Sequence, residues 1–435
     1  MLGLGEPNSR RIAWDVLMRI DRDAAYSHLA LDSALADAGL GDADRGLATE
    51  LVYGTLTWRR ALDNLLEGLV RKGVRSLDLE ALQALRLGAY QIVFLDRIPV
   101  HAATHETVEL ARAVTNPGAT SLVNAVMRRL GELEQPTWWR DEDRTKKPVR
   151  WLGDRWSLPN WIANRLIQQF GLDRAESLAA AYASRPPLWA RRVGKPGDAA
   201  LRLQRLDDAA RRDLDEGRIV IQDRGSQAIV RACPVRPGDT VLDACAGLGG
   251  KSLYLAERAA RVVALDPSHS KLELLGAAGK RVGVADRIEA VPGELQTARF
   301  DDRFDLVLVD APCTGLGVIR RHPETRWTRT EADITQLAGL QAELLRHASR
   351  WVALGGHLVY SVCTWTREET SRQVERFVAA HPSFSVTPLP EDLAEFSDDS
   401  FLRIYPDVHD CDGFFAAVLH HGAETEEKST STGVE

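Results

Sequence analysis

From Pro237-Gly238 onward the chain alternates short, nearly unbroken apolar runs with helix-patterned stretches. The runs are TVLDACAG, RVVALD, RIEAVPG, FDLVLVDAP and GGHLVYSVCT, followed by a two-strand finish around SFSVTPL and GFFAAVLHH. A strand without a polar face needs cover on both sides, and strands separated by helices pair in parallel. The pattern therefore predicts an α/β domain, a doubly wound sheet with helices on both faces. Ligands of such sheets bind at the carboxyl ends of the strands, so the loops after these runs are where chemistry is expected.

The first part of the chain has a different period. From Ser9 to about Arg140, stretches such as RRIAWDVLMRI, RGLATELVYGTLTWRRALDNLLEGLV and SLVNAVMRRLGEL repeat apolar residues every three or four positions, with breaks at Gly39, Gly73, Pro99 and Asn116 to Gly118. This predicts an all-helical domain. The charged segment TWWRDEDRTKKPVR, Thr137 to Arg150, suits a linker, and a small α/β piece is expected after it. The expected divisions are 1–140 helical, 141–222 linker and small α/β piece, 223–421 sheet domain, and 422–435 a polar, disordered tail.

At 435 residues with 44% hydrophobic and 27% charged composition, the chain has the makeup of a globular protein of two or three domains. The formal net charge of −7 means that a nucleic-acid partner would be held by local basic patches, not by a global field. Neither a signal peptide nor a run long enough to span a bilayer is apparent, so a cytoplasmic protein with no membrane partner is expected. The five cysteines (Cys233, Cys245, Cys313, Cys363 and Cys411) are odd in number and lack a CxxC pair. Reduced thiols are expected, with no disulfide framework and no metal site. His101 and His105 stand four apart, but no third ligand accompanies them.

The loop DACAGLGGKS, Asp243 to Ser252, joins the first run to a helix, and its glycines let backbone approach a ligand. About twenty residues on, Asp266 ends RVVALD, where an acid of such sheets meets a ribose diol. Neither GxGxxG nor GxxxxGK[ST] is present: Cys245 stands where the latter needs its first glycine. A loop that starts with an acid, Asp243, and reads D-x-x-x-G-x-G suits S-adenosylmethionine, whose cationic or amino end that acid can meet.

Cys313 in DAPCTG and Cys363 in YSVCT both follow predicted strands that open onto the same cleft. Carbon 5 of a pyrimidine has no lone pair to offer a methyl donor, but a thiolate added at carbon 6 makes carbon 5 nucleophilic. One cysteine could add and the other could assist release, and composition does not order the roles. Asp310, beside APC, is a candidate hydrogen-bond partner of the base.

These motifs, with DGFFAAVL, resemble the RNA 5-methylcytosine methyltransferases of the Nop2/Sun type, which have a Rossmann-like S-adenosylmethionine-dependent sheet. Upstream, IPVHAATHETVELAR and SLVNAVMRRL resemble the RNA-binding helical domain of the antitermination factor NusB. The resemblance implies that Cys363 is the nucleophile and that Cys313 aids product release. It implies a cofactor shell of Cys245, Ala246, Gly247, Leu248, Gly249, Gly250, Lys251, Asp266, Glu294 and Asp310, and 16S ribosomal RNA as substrate; no obligate protein partner is evident from the sequence. The sequence departs from the family in CAGLGGKS for CAAPGGKT, YSVCT for YSTCS, Glu294 for aspartate, and the tryptophan of TWTREE.

Arg320, Arg321, His322 and Arg326 follow the first cysteine motif and are expected to contact RNA phosphates. Trp327 could stack on a base or simply pack. Transfer RNA as substrate, or a catalytically idle RNA-binding or assembly factor, are the alternative readings.

Overall fold

A computed structural model describes residues 8–36, 38–134, 136–195 and 197–423. The tail expected at 422–435 lies outside the described residues from Glu424 on. The chain forms two compact units, one of residues 1–185 with 319–330 and the other of 186–318 with 331–435. These divisions differ from those expected at 140/141 and 222/223.

The helical unit begins with α1 (Ser9–Asp23), α2 (Ser27–Ala36), α3 (Asp42–Thr57), α4 (Arg59–Glu67), α5 (Leu79–Phe94), α6 (Val100–Val114) and α7 (Pro117–Gly131). Its ends follow local chemistry. The Asn8 side chain accepts from the Arg10 and Arg11 amides to start α1, and Asn116 accepts from Ala119 with Pro117 in the first turn of α7. Ile12, Val16, Leu17, Leu51, Leu62, Leu85 and Val126 interlock in one core.

Residues 137–150 are not a free linker. Trp138 packs edge-on against Trp58, which stacks on Phe94, and the Trp138 indole donates to the Arg155 carbonyl. Three further helices, α8 (Pro148–Arg155), α9 (Asn160–Phe170) and α10 (Leu172–Ala183), belong to the same unit and bury Trp151, Leu152, Leu166, Leu178 and Tyr182. Arg60 of α4 holds them through Asp154 and the Leu158 carbonyl.

The second unit opens with a small antiparallel sheet of β1 (Leu188–Arg192), β2 (Leu201–Leu203) and β3 (Ile219–Ile221), in the order β2-β1-β3. The expected small α/β piece is thus divided: its helices up to Ala183 belong to the first unit, and its strands, with a short helix Asp208–Asp215, to the second. The main sheet contains β4 (Thr240–Asp243), β5 (Arg261–Asp266), β6 (Ile288–Pro292), β7 (Phe304–Asp310), β8 (Val352–Val362), β9 (Phe384–Thr387), β10 (Ser397–Asp398), β11 (Phe401–Ile404) and β12 (Phe414–His421).

The order is β10-β11-β12-β8-β7-β4-β5-β6, with β9 also paired to β12. The five strands β6-β5-β4-β7-β8 run parallel, and β12 adds antiparallel to β8. Alternate residues feed two cores. Val241, Val262, Ala264, Leu306 and Leu308 face one side, and Leu242, Val263, Leu265, Val307 and Val309 face the other. Helices α11 (Arg224–Ala232), α12 (Gly250–Ala256) and α13 (His269–Val282) cover the first face, and α14 (Glu331–Ala348) and α15 (Ser371–Ala380) cover the second. The strand order reverses between β4 and β7, so their carboxyl ends, at Asp243 and Asp310, flank the crevice such sheets use for ligands.

No helix among the described residues is long and apolar enough to cross a membrane.

Candidate active site

The loop after β4 is fixed by backbone. Ala246 N–H donates to the Leu265 carbonyl, Gly247 N–H to Asp266 Oδ2 at 2.9 Å, and Gly249 N–H to the Ala246 carbonyl. Gly249 has φ +80°, and a Cβ there would lie 2.2 Å from Leu275 of α13, so the turn tolerates no side chain. A Cβ at Gly247 would meet open space. Leu248 is exposed, Cys245 is half-buried with its thiol pushed up by burial, and Glu294 stands exposed after β6.

Asp266 is buried, and its other oxygen accepts from the Ser268 amide at the start of α13. Asp243 is also buried. Ser252 Oγ donates to its Oδ2 at 2.6 Å, while Oδ1 has no hydrogen-bond partner. Burial pushes the Asp243 carboxyl up to about 6, with Ser252 opposing. An unmet buried carboxylate oxygen beside an open glycine loop fits a cationic ligand group.

If Asp243 holds the cationic end of S-adenosylmethionine, the ligand expected from the sequence, binding should tighten as pH rises through about 6. Below that value Asp243 is protonated, and the raised folded pKa means that its charge appears only above it. Affinity should change by up to about tenfold per pH unit on the acid side and level off above pH 7. Calorimetry from pH 5 to 8 checks this. An Asp243→Asn protein that keeps the same profile would remove Asp243 from the explanation.

The loop after β7 and the loop after β8 bring the two cysteines together, with Cys313 Sγ 3.3 Å from Cys363 Sγ and both thiols free. Cys363 and burial together raise the Cys313 thiol well above its ordinary value, so it rests protonated. Asp310, at the end of β7, pairs with Lys251 of the glycine loop and accepts from Ser361 Oγ at 2.7 Å. Burial works against the Lys251 charge, but Asp310 outweighs it and raises the ammonium above its ordinary value. Lys251 thus faces the cysteine centre, a role the sequence reading assigned only to the cofactor loop.

Backbone and one carboxylate hold the pair. Ala311 N–H donates to the Ser361 carbonyl, and Gly317 N–H to the Cys363 carbonyl. Gly317 must lack a side chain, since a Cβ there would lie 2.2 Å from the Gly413 carbonyl oxygen. Glu369 is fully buried. It accepts from Thr314 N–H at 2.8 Å, Thr314 Oγ1 at 2.6 Å, Thr366 Oγ1 at 2.7 Å and Gln341 Nε2 at 3.1 Å. Thr364 Oγ1 lies 2.9 Å from Thr314 Oγ1. The residues following each cysteine therefore share one buried anion. Sequence reasoning missed Glu369 and Ser361; the only trace of Glu369 was its place in TREE, six residues after Cys363.

The expected RNA contacts need correction. Arg326 is fully buried and donates to the carbonyls of Thr57, Ser157 and Tyr182. Burial brings its guanidinium down to about 9. Arg320 is also buried and donates to the Ser184 and Arg185 carbonyls. Both are structural because helix ends and turns leave carbonyls that need donors. Arg321 and His322 are half-buried, and Trp327 packs on the helical core with its indole donating to the Leu56 carbonyl. Arg326→Met should cost about 3 kcal/mol, since three acceptors lose a charged donor. Urea unfolding reads the loss, and an unchanged midpoint would contradict it.

The family model described as 16S rRNA methyltransferase RsmB/F matches residues 231–420, and the NusB family model matches residues 7–132. A Bacillus subtilis protein named "Probable ribosomal RNA small subunit methyltransferase B" is 34% identical over 439 residues, covering 93% of this chain and 97% of its own. An Escherichia coli ribosomal RNA small subunit methyltransferase B is 30% identical over 410 residues, 87% of this chain and 91% of that one. The crystal structure of PH0851 superposes with a TM-score of 0.78 at 22% identity, over 96% of this chain and 99% of that one.

The fold is thus a Rossmann-like methyltransferase sheet joined to a NusB-type helical domain. The chain belongs to the RsmB/F family of 16S rRNA methyltransferases, in agreement with the resemblance carried by its motifs.

Proposed function

We propose that this protein methylates carbon 5 of a cytosine in 16S ribosomal RNA, using S-adenosylmethionine. The observation that carries the reading is the pair of free thiols, 3.3 Å apart, at the strand ends beside Asp310 and Lys251. Asp243, Gly247 and Asp266 would hold the cofactor. When bound, it supplies an electrophilic methyl group that carbon 5 takes, its sulfonium leaving as a neutral thioether.

Cys363 adds as thiolate to carbon 6, and the ring electrons shift toward carbon 5. Asp310 offers an acceptor to the exocyclic amine, and the Lys251 ammonium offsets the negative charge that addition builds on the ring. After methylation, carbon 5 gives its proton to water, the ring double bond re-forms and the carbon–sulfur bond breaks. The Cys313 S–H then stabilises the departing Cys363 thiolate.

The test incubates purified protein and S-adenosylmethionine with 16S RNA, assembling small subunits or transfer RNA, followed by nucleoside mass spectrometry. One 5-methylcytosine in 16S RNA is expected. Methylation confined to transfer RNA would move the substrate, and no 5-methylcytosine in any RNA would overturn the reading.

A further inference from the structure

Within the helical unit, three side chains outside the catalytic pair converge. His28 lies in the first turn of α2, and His322 and Glu324 lie in the 319–330 segment. One ring nitrogen of each histidine and a carboxylate oxygen of Glu324 lie within 4.8 Å of one another. His322 Nδ1 is 3.8 Å from Glu324 Oε1, and the two imidazole rings are 5.2 Å apart between centroids.

Glu324 is buried and fixed in place, accepting from the Ser27 amide at 3.1 Å and from Ser27 Oγ at 2.7 Å. Nδ1 of His28 and Nδ1 of His322 are both shielded from solvent and have no hydrogen-bond partner. Two such nitrogens in one cluster are costly unless something meets them.

We propose that His28, His322 and Glu324 form a binding site for a zinc-class divalent cation. Two imidazoles and one carboxylate give the three-ligand set of a tetrahedral ion with water as its fourth ligand, and nitrogen donors select zinc, cobalt or nickel over magnesium or calcium. Bond lengths of about 2.0–2.1 Å put ligand atoms about 3.3 Å apart. From a spacing of at most 4.8 Å, reaching that separation asks each ligand atom to move by about 1 Å. The ion ties the 319–330 segment to the start of α2. His101 and His105 on α6 have no third ligand atom at comparable range among the described residues.

The test uses the full chain, stripped with chelator and titrated with Zn²⁺ by calorimetry and with Co²⁺ by visible absorption. One Zn²⁺ per chain is expected, with affinity reduced about tenfold or more in His28→Asn and in His322→Gln and retained in Cys313→Ala. Circular dichroism establishes that each variant is folded. Should a histidine variant fail to fold, the wild-type Co²⁺ spectrum decides: ligand-field bands without sulfur charge transfer support the site, and sulfur charge transfer overturns it. No stoichiometric Zn²⁺ binding, or binding lost in Cys313→Ala and kept in His28→Asn, also overturns it.

Discussion

With 16S RNA and S-adenosylmethionine, Cys363→Ala should form neither 5-methylcytosine nor a denaturant-stable protein–RNA adduct, whereas Cys313→Ala should accumulate the adduct. Loss of the attacking sulfur should lower turnover by about four orders of magnitude or more, as for other nucleophiles that act within a unit. Loss of Cys313 leaves Cys363 able to add but removes the S–H held 3.3 Å away. Release, not addition, then becomes slow. Denaturing gels with labelled RNA separate the two outcomes. Normal methylation by both variants would make the sulfurs a packed pair without chemistry.

The second large effect is expected at Glu369, which accepts hydrogen bonds from Thr314, Thr366 and Gln341. Glu369→Gln keeps the volume but turns one acceptor oxygen into a donor, facing Thr314, Thr366 and Gln341 groups that already donate. Stability should fall by about 2–4 kcal/mol, since a satisfied buried network becomes a partly unsatisfied one. Turnover of the folded protein should fall about a hundredfold, because the loops carrying Cys313 and Cys363 lose their common anchor and a shift of about 1 Å is enough. The Michaelis constant for RNA should stay near its original value. Denaturant unfolding and steady-state kinetics, run where circular dichroism shows a folded protein, measure both. Unchanged turnover in a destabilised protein would reduce Glu369 to a purely architectural residue.

The parallel core was legible because β4, β5, β7 and β8 carry nearly unbroken apolar runs, and the two-sided burial of such strands leaves few other folds open, whereas β6 at the sheet edge is largely exposed. The strands β10 and β11, two and four residues long, have no period to detect. The meeting of Cys313 and Cys363 was readable, since both follow strands that open on one crevice. Glu369 was not, because its donors come from three separate stretches of chain. Arg326 was misread for a related reason: a guanidinium bound for RNA and one bound for carbonyls look alike in sequence, and its acceptors lie at residues 57, 157 and 182. The helices at 148–183 were assigned to a separate piece because their apolar stripes do not say which core receives them.

The 319–330 segment also sets an order of assembly during translation. Residues 1–185 can collapse as they leave the ribosome, but the carbonyls that Arg326 caps and the surface that Trp327 covers stay open until residue 330 has emerged. By then β4 to β7 have been synthesised. The helical unit is thus begun first and closed late, with a stretch of about 130 residues threaded out and back before closure. A protein shortened to residues 1–185 would lack its own final piece, however well its boundary appeared to be drawn.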